Sequence, residues 1–214
     1  MKKDKKTLLI ITGLTIFSVF LVVIRVLIFK QITFIFLLWN LILAWIPYLI
    51  SYRIIKLYEK KTSSIILWIT IFIWYIFFPN SPYILTDLIH LSIISHIPKW
   101  YDGLMIFSFS FTALILGFLS LEKIQKIISE KFSKVKGWIF TAFIILSSGF
   151  GIYLGRFLRW NTWDIFINPQ FLITDILERI IFPFEYIRTI AVTVLFSIFI
   201  FLSYLVFTNN QKQN

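Results

Sequence analysis

Long apolar runs and short polar segments alternate along the whole chain. A helix rises about 1.5 Å per residue, so about 20 apolar residues cross a hydrocarbon core about 30 Å thick. Six runs approach or exceed that length, near residues 7–29, 32–52, 65–79, 103–121, 137–155 and 189–208. Because backbone groups inside a bilayer must be paired within the segment, the runs should be helices. The pattern predicts an all-α fold, a polytopic transmembrane bundle of about six spans in one domain, residues 1–214.

Composition agrees with an integral membrane protein. Hydrophobic residues make up 59% of the chain, aromatic residues 20%, and the mean hydropathy is +0.87, which excludes a soluble domain of this size. The absence of cysteine excludes disulfide bonds, thiolate metal ligands and a cysteine nucleophile. The first apolar run is longer than the core of a signal peptide, so we expect it to act as an anchor helix.

The net charge of +11 comes from lysines and arginines that stand in short blocks between apolar runs. With six spans, 14 of the 21 basic residues fall on one side, in the segments 2–6, 53–61, 123–136 and the tail. The positive-inside tendency places that side, with both termini, in the cytoplasm of a cell membrane. We therefore expect the blocks to contact anionic membrane lipids and not nucleic acid, and the acid-rich opposite side to be extracytoplasmic.

The third apolar run is short, because the 14 residues from Ile65 to Phe78 cover only about 21 Å as a helix. Pro79 should end this helix, and Pro82 should push Ser81 toward extended geometry. Irregular backbone at membrane depth is tolerated where it lines a cavity, so we expect Asn80 and Ser81 to line one. The alternative is a helix that starts earlier and ends at the interface.

Two segments after apolar runs share one pattern, residues 83–89 and 171–177, each with an aromatic residue followed by a Thr-Asp pair. Asp87 and Asp175 could each cap a short helix, with His90 or Glu178 at the third helical position. We therefore expect short interfacial helices on the extracytoplasmic side. Either a parallel duplication of helical hairpins or a coincidence in an apolar chain would explain the similarity.

Candidate catalytic residues are Asp87, His90 and Asp102. Asp87 and His90 are three positions apart and share a helical face, and Asp102 could approach them when the loop folds back. An imidazole between two carboxylates can transfer a proton near neutral pH, and we prefer this role to metal binding. In the alternative, Asp87 is a helix cap and His90 donates to a loop carbonyl. His96 is expected at the interfacial surface.

The second polar cluster follows the fifth run, where Arg156 and Arg159 are three positions apart and two tryptophans are interleaved. Arginine forms bidentate hydrogen bonds to phosphate and carboxylate, and charged residues at membrane depth are costly. Candidate ligand-binding residues are Asn80, Tyr83, Arg156, Arg159, Asn161 and Asp164. Alternatively, Arg156 or Arg159 anchors the helix at the interface or forms an internal salt bridge with Asp87 or Asp102. Arg25, in the first run, should snorkel to the interface.

Three segments together resemble a known family: residues 78–90, residues 100–102, and residues 155–164, which read Gly-Arg-Phe-Leu-Arg-Trp-Asn-Thr-Trp-Asp. They are similar to the hallmark segments of an uncharacterised bacterial membrane family, domain of unknown function 1361. The resemblance covers most of the chain from the second span onward. It implies a multi-pass membrane protein but no activity or cofactor. Thr162 stands where we expect serine in that family's pattern.

Three functions are consistent with these observations. The first is a membrane enzyme that acts on a lipid-linked or anionic substrate at the outer leaflet. The second is a transporter or lipid carrier, although charged residues are absent midway through the spans, where coupling sites are usual. The third is a structural or assembly protein whose polar network only fixes helix packing. Whether the protein is an enzyme, which cofactor it uses and how it oligomerises stay open at this point.

Overall fold

The computed structural model describes residues 2–92 and 97–212, and these residues form helices without any strand. In chain order the elements are α1 (Lys2–Phe29), α2 (Phe36–Glu59), α3 (Ser64–Phe77), α4 (Asn80–Tyr83), a 3₁₀ helix (Ile84–Ser92), α5 (Lys99–Lys131), α6 (Lys134–Phe157), α7 (Asp164–Ile167), α8 (Pro169–Ile181) and α9 (Ile187–Lys212). The predicted all-α fold is confirmed. His96 lies outside the described residues.

Six stretches of the described chain are long and apolar enough to cross a membrane, in agreement with the predicted six spans. They are Lys5–Phe29, Phe36–Glu59, Ser64–Leu91, Lys99–Lys131, Lys134–Phe157 and Ile187–Asn209. The helix bounds differ from the apolar windows: α2 starts at Phe36, inside the window that begins at residue 32, and α5 continues to Lys131, beyond the window that ends at residue 121. The shifts have a physical reason, because hydropathy marks where a helix is apolar and not where it is helical.

Helix α5 is the centre of the bundle. Of its apolar window 72% is buried, against 22% for the first span and 11% for the last. It contacts α1, α2, α4, α6, α9 and the 3₁₀ helix. Small residues on α5 allow close approach: a methyl group at Gly117 would lie 2.9 Å from Cβ of Ser81 on α4. Exposed leucine, isoleucine and phenylalanine side chains cover the outer helices, as expected for helices of membrane-spanning length.

Helix α3 ends at Phe77, just before Pro79, as the proline predicts. The expectation of extended geometry at Ser81 is wrong, because residues 80–83 form one α-helical turn. Tertiary contacts outweigh the effect of Pro82 here. The Ser81 side chain is fully buried, its hydroxyl donates to the Ala44 carbonyl at 3.3 Å, and its N–H donates to the Phe78 carbonyl.

The two similar segments fold differently. Residues 84–92 form a 3₁₀ helix whose Ile84, Thr86 and Asp87 are buried, so Asp87 is not the cap of an interfacial helix. Asp175 lies in the middle of α8, so it is not a cap either. Helix α8 has the amphipathic character of an interfacial helix, since only Leu172 is buried while Phe171 and Ile180 are exposed. A duplication is not supported.

The bundle has two chemically distinct ends. We call the end formed by α4, the 3₁₀ helix, α7 and α8 the site end, because the polar clusters lie there. The other end carries the lysines around the α2–α3 and α5–α6 connections, and we call it the lysine-rich end.

Candidate functional site

Arg156, in the last turn of α6, joins α6 to the 3₁₀ helix. Its Nε donates to Thr86 Oγ1 at 2.7 Å, and its Nη1 lies 3.1 Å from His90 Nε2. Its Nη2 forms an ion pair with Asp87 Oδ1. The guanidinium also stacks 4.8 Å from the centre of the Tyr83 ring. The two polar clusters of the sequence therefore meet, and the alternative of an internal salt bridge from Arg156 to Asp87 is the arrangement observed.

Both carboxylate oxygens of Asp87 have partners. Asn40 on α2 donates through Nδ2 to Asp87 Oδ2 at 2.9 Å, and the Asp87 side chain is 1% exposed. A carboxylate only accepts hydrogen bonds, so the amide nitrogen of Asn40 must face Asp87. The Oδ1 atom of Asn40 then remains available as an acceptor. In the same way Arg156 donates to His90 Nε2, which puts the His90 proton on Nδ1. Catalytic roles for Asp87 and His90 stay predictions.

A cavity of about 200 Å³ lies next to this network, between α2, α3, α4, α6 and the turn that follows α6. Its described lining is uncharged and consists of Trp39, Asn40, Leu43, Ile76, Pro79, Asn80, Tyr83, Gly151, Leu154, Gly155, Trp160, Asn161, Thr162, Trp163, Ile165 and Leu172. Asp87, His90 and Arg156 are not in this lining. They touch its wall through Asn40, which donates to Asp87, and through Tyr83, which stacks on Arg156.

Asn80 and Thr162 close one side of the cavity and join the two motif segments. Asn80 Nδ2 donates to the Phe77 carbonyl at 2.9 Å and to Thr162 Oγ1 at 3.1 Å. Asn80 therefore lines a cavity, as expected, whereas Ser81 is buried against α5 and does not. A serine at position 162 would offer the same hydroxyl group.

Gly155 allows the wall to close. A Cβ atom at Gly155 would lie 2.9 Å from Cε2 of Tyr83, which is closer than van der Waals contact. A side chain at this position would push the Tyr83 ring away from α6 and from Arg156. The glycine of the Gly-Arg motif is therefore explained by the stacking of Tyr83 on the arginine beside it.

The turn after α6 is held by backbone and side-chain hydrogen bonds. Trp160 N–H donates to the Leu154 carbonyl at 3.1 Å, and Asn161 N–H donates to Asp164 Oδ2 at 2.6 Å. Asp164 therefore shapes the turn, while the Asn161 side chain is free to contact a ligand. Arg159 has φ 63°, a left-handed conformation that arginine rarely adopts. Its side chain is exposed and has no hydrogen bond or ion pair within the described residues.

Helix α8 is tied to this turn. Trp160 Nε1 donates to Asp175 Oδ2 at 2.6 Å, and Asp175 also pairs with Arg179 at 3.0 Å. At the junction with α9, the Tyr186 hydroxyl donates to Glu178 at 3.3 Å, and the negative charge of Glu178 raises the pKa of Tyr186. The cavity turn and the amphipathic helix are thus mechanically linked.

Asp102 belongs to a second ion pair. Arg25 Nε donates to Asp102 Oδ1 at 2.9 Å and its Nη2 to Oδ2 at 3.3 Å, while its Nη1 donates to the Gln31 carbonyl. Asp102 is held by the buried Arg25, and no hydrogen bond joins it to Asp87 or His90 among the described residues, so its catalytic role stays a prediction. Arg25 is only 1% exposed, so it does not snorkel. Among the described residues no three His, Asp or Glu side chains are grouped as a metal site would require.

Sequence reasoning missed Asn40, Thr86 and Arg25 as parts of these networks. Asn40 and Arg25 each stand inside an apolar run, and the cost of burying a polar group in a membrane was the available signal. Their partners are 47 and 77 positions away along the chain, which no local pattern reveals. Thr86 gave no separate signal.

Comparison with known proteins assigns the family. No curated protein and no solved structure matches the chain significantly. The family described as protein of unknown function (DUF1361) matches residues 39–204, a range that contains every residue of the cavity lining and leaves out Arg25. The match confirms the resemblance carried by the three segments, and the chain belongs to the DUF1361 family.

Proposed function

We propose that the protein binds the headgroup of a lipid or lipid-linked molecule in the cavity at the site end. The observation that carries the proposal is the lining itself, where three tryptophans and three asparagines surround an open space of about 200 Å³. Binding sites typically combine apolar or aromatic walls with a few polar groups that fix orientation. Helix packing alone would not require such a space.

The surroundings of the cavity favour a ligand that arrives from the membrane. Trp39 and Trp163, on the cavity wall, are 52% and 39% exposed, and indole rings sit well at headgroup level. Next to them, Phe166 and Phe171 extend the exposed apolar surface along α7 and α8. An acyl or prenyl chain could lie on this surface while its headgroup enters the cavity.

In this proposal the site end faces the extracytoplasmic side of a cell membrane, with both termini in the cytoplasm. The support is the concentration of lysine at the opposite end, which the positive-inside tendency assigns to the cytoplasm. The ligand would then belong to the outer leaflet.

The ion-pair network positions the wall. Asp87 orients the Asn40 amide, and Arg156 supports the Tyr83 ring, so the charged groups act on the ligand through these two neutral side chains. Neither Asp87 nor His90 lines the cavity, which favours binding over proton transfer to a ligand. A structural role is the second candidate, since Arg156 uses Nε and both Nη atoms on internal partners.

Native mass spectrometry of the purified protein, released from the membrane in which it is expressed, tests the proposal. We expect a bound amphiphile on the parent protein and at least a fivefold lower occupancy on Asn161→Ala. The side-chain amide that this change removes has no structural partner among the described residues. The matched control is Asn168→Ala, an exposed asparagine at the same end that does not line the cavity. Equal occupancy in the parent and Asn161→Ala, or none in a folded parent, would favour the structural role.

A further inference from the structure

The chemistry of the cavity narrows the class of headgroup, and this step rests on the proposed function. No described lining residue carries a charge. Arg156, which stacks on the lining residue Tyr83, is engaged by Thr86, His90 and Asp87. Burying a phosphate or carboxylate without a partner is costly, so an anionic group is not expected inside the cavity. The group that enters should be neutral.

The unpaired polar groups on the wall include both donors and acceptors. Asn40 contributes its Oδ1 acceptor, Asn161 a whole carboxamide, and Tyr83 a hydroxyl group. The indole N–H groups of Trp39 and Trp163 add donors. None of these groups has a hydrogen-bond partner among the described residues. Hydroxyl groups both donate and accept, so a polyhydroxylated ligand matches this mixture better than a headgroup with only one kind of polar atom.

The aromatic wall and the volume suit one sugar ring. Trp39 and Trp163 stand edge to face, with ring centres 6.4 Å apart, and Tyr83, over whose ring Arg156 lies, also lines the cavity. The C–H faces of a pyranose can pack on such rings. A cavity of about 200 Å³ exceeds the roughly 150 Å³ of an apolar cavity that holds one benzene molecule, so it can admit a single six-membered ring.

An amine headgroup is the natural competitor, because aromatic walls attract quaternary ammonium groups. Two features oppose it. The described lining contains no carboxylate to balance a cation, and Arg156, stacked on Tyr83, would repel one.

Arg159 supplies the charge that the cavity lacks. It directly precedes the lining segment 160–163, is exposed, and has no partner in the described part of the chain. Its left-handed backbone is strained relative to glycine, and strained residues of this kind cluster at binding sites. An exposed guanidinium that has no partner among the described residues, and that directly precedes the lining segment along the chain, is suited to a phosphate at the membrane surface.

We infer that the protein recognises a lipid-linked sugar phosphate, with a single hexose ring in the cavity, the phosphate on Arg159 and the hydrocarbon chain along α7 and α8. In such a ligand the sugar, the phosphate and the hydrocarbon chain follow one another. The protein offers the neutral cavity wall, the Arg159 cation and the apolar surface of α7 and α8 in the same order.

The test uses the full-length protein in phospholipid nanodiscs and measures dissociation constants from tryptophan fluorescence. The probes are dodecyl phosphate esters of glucose, galactose, mannose and N-acetylglucosamine, with dodecyl phosphate and dodecylphosphocholine for comparison. We expect the best sugar ester to bind at least tenfold more tightly than either comparison probe. Asn161→Ala should remove this preference and leave dodecyl phosphate binding unchanged, whereas Asn168→Ala should keep it.

Arg159→Ala should weaken the sugar ester about tenfold, the value of one charge-assisted hydrogen bond. Arg159→Gly should do the same, which separates the guanidinium from the backbone conformation. If dodecyl phosphate or dodecylphosphocholine binds as tightly as the best sugar ester, and Asn161→Ala weakens that binding, the sugar inference is overturned and the proposed function is kept. If hexose phosphates that lack a hydrocarbon chain bind as tightly as the sugar esters, the inference that the ligand is lipid-linked is overturned. If none of the amphiphiles binds saturably, both the sugar inference and the proposed function are overturned.

Discussion

Two arginine–aspartate pairs lie at the site end, and they differ in what surrounds them. Arg25 and Asp102 join α1 to α5, and their side chains are 1% and 8% exposed. Arg156 and Asp87 join α6 to the 3₁₀ helix, with side chains 14% and 1% exposed. In the first pair Arg25 also contacts Gln31 and the Phe34 ring, and neither residue lines the cavity. The second pair touches two residues of the cavity wall.

The same kind of ion pair can serve two purposes in one bundle. The Arg25 pair holds two helices together, and its value is structural. The Arg156 pair also holds elements together, but its neighbours Asn40 and Tyr83 transmit its geometry to the cavity. Stability and ligand binding should therefore separate when the two pairs are disrupted one at a time.

The largest effect on stability is expected for Arg25→Met. This change leaves the buried Asp102 carboxylate without its cation, and such a loss costs about 3–5 kcal/mol. The thermal unfolding midpoint in nanodiscs should fall sharply, while the folded fraction should bind ligand with unchanged affinity. The double variant with Asp102→Asn should recover much of the loss. Weaker binding by the folded Arg25→Met protein would contradict the division between the two pairs.

Asp87→Asn should lower stability less and binding more. Arg156 keeps Thr86, His90 and the Tyr83 ring, so we expect a loss of about 2–3 kcal/mol for the charged hydrogen bonds. Ligand affinity should drop about tenfold, because an amide at position 87 no longer dictates the orientation of Asn40.

Thr86→Val is the matched control for that variant. It removes the acceptor of Arg156 Nε but leaves Asp87 and Asn40 paired, so stability should fall by about 1 kcal/mol with affinity preserved. If Thr86→Val weakens binding as much as Asp87→Asn, orientation of Asn40 is not the link between the ion pair and the cavity. Unfolding midpoints and dissociation constants measured on the same samples decide the matter.

Much of this architecture could be predicted from the sequence. The six spans follow from apolar runs of membrane length, and the end of α3 follows from Pro79. The location of the two polar clusters at one end of the bundle also followed from counting six spans, whereas their contact through Arg156 and Asp87 did not. These features depend on local composition and on counting spans.

The errors involve contacts between distant parts of the chain. Ser81 remains helical because α2 and α5 pack on it, which the preference of a residue before proline cannot indicate. Asp102 pairs with Arg25 and not with His90, and a hydropathy average conceals the single arginine in an apolar run. The similar sequences of segments 83–89 and 171–177 wrongly suggested similar helices. The first is largely buried and forms the 3₁₀ helix, whereas the second is mostly exposed and lies in α8.

Gly117→Ala tests whether α5, which carries Asp102, also supports the cavity. The added methyl group would meet Cβ of Ser81 at 2.9 Å, and overpacking of this kind costs about 1–3 kcal/mol. Because Ser81 is next to Asn80, moving α4 should also weaken binding. The control is Gly13→Ala, where no atom lies within 4 Å and the better helix propensity should raise stability by up to about 1 kcal/mol. Unchanged binding in Gly117→Ala would confine α5 to a structural role.

The smallest effect on stability concerns Arg159, which pairs with no carboxylate among the described residues, unlike Arg25 and Arg156. Arg159→Gly should raise stability by about 1 kcal/mol, because glycine adopts φ 63° without strain, whereas Arg159→Ala should leave the unfolding midpoint nearly unchanged. Both variants remove the same guanidinium and should lose the same affinity. A buried partner at Arg159 would instead make both variants less stable, and the arginine would then belong with the two structural pairs. Opposite changes in stability and binding in Arg159→Gly, measured on one preparation, would identify the arginine as a residue held under strain for its ligand.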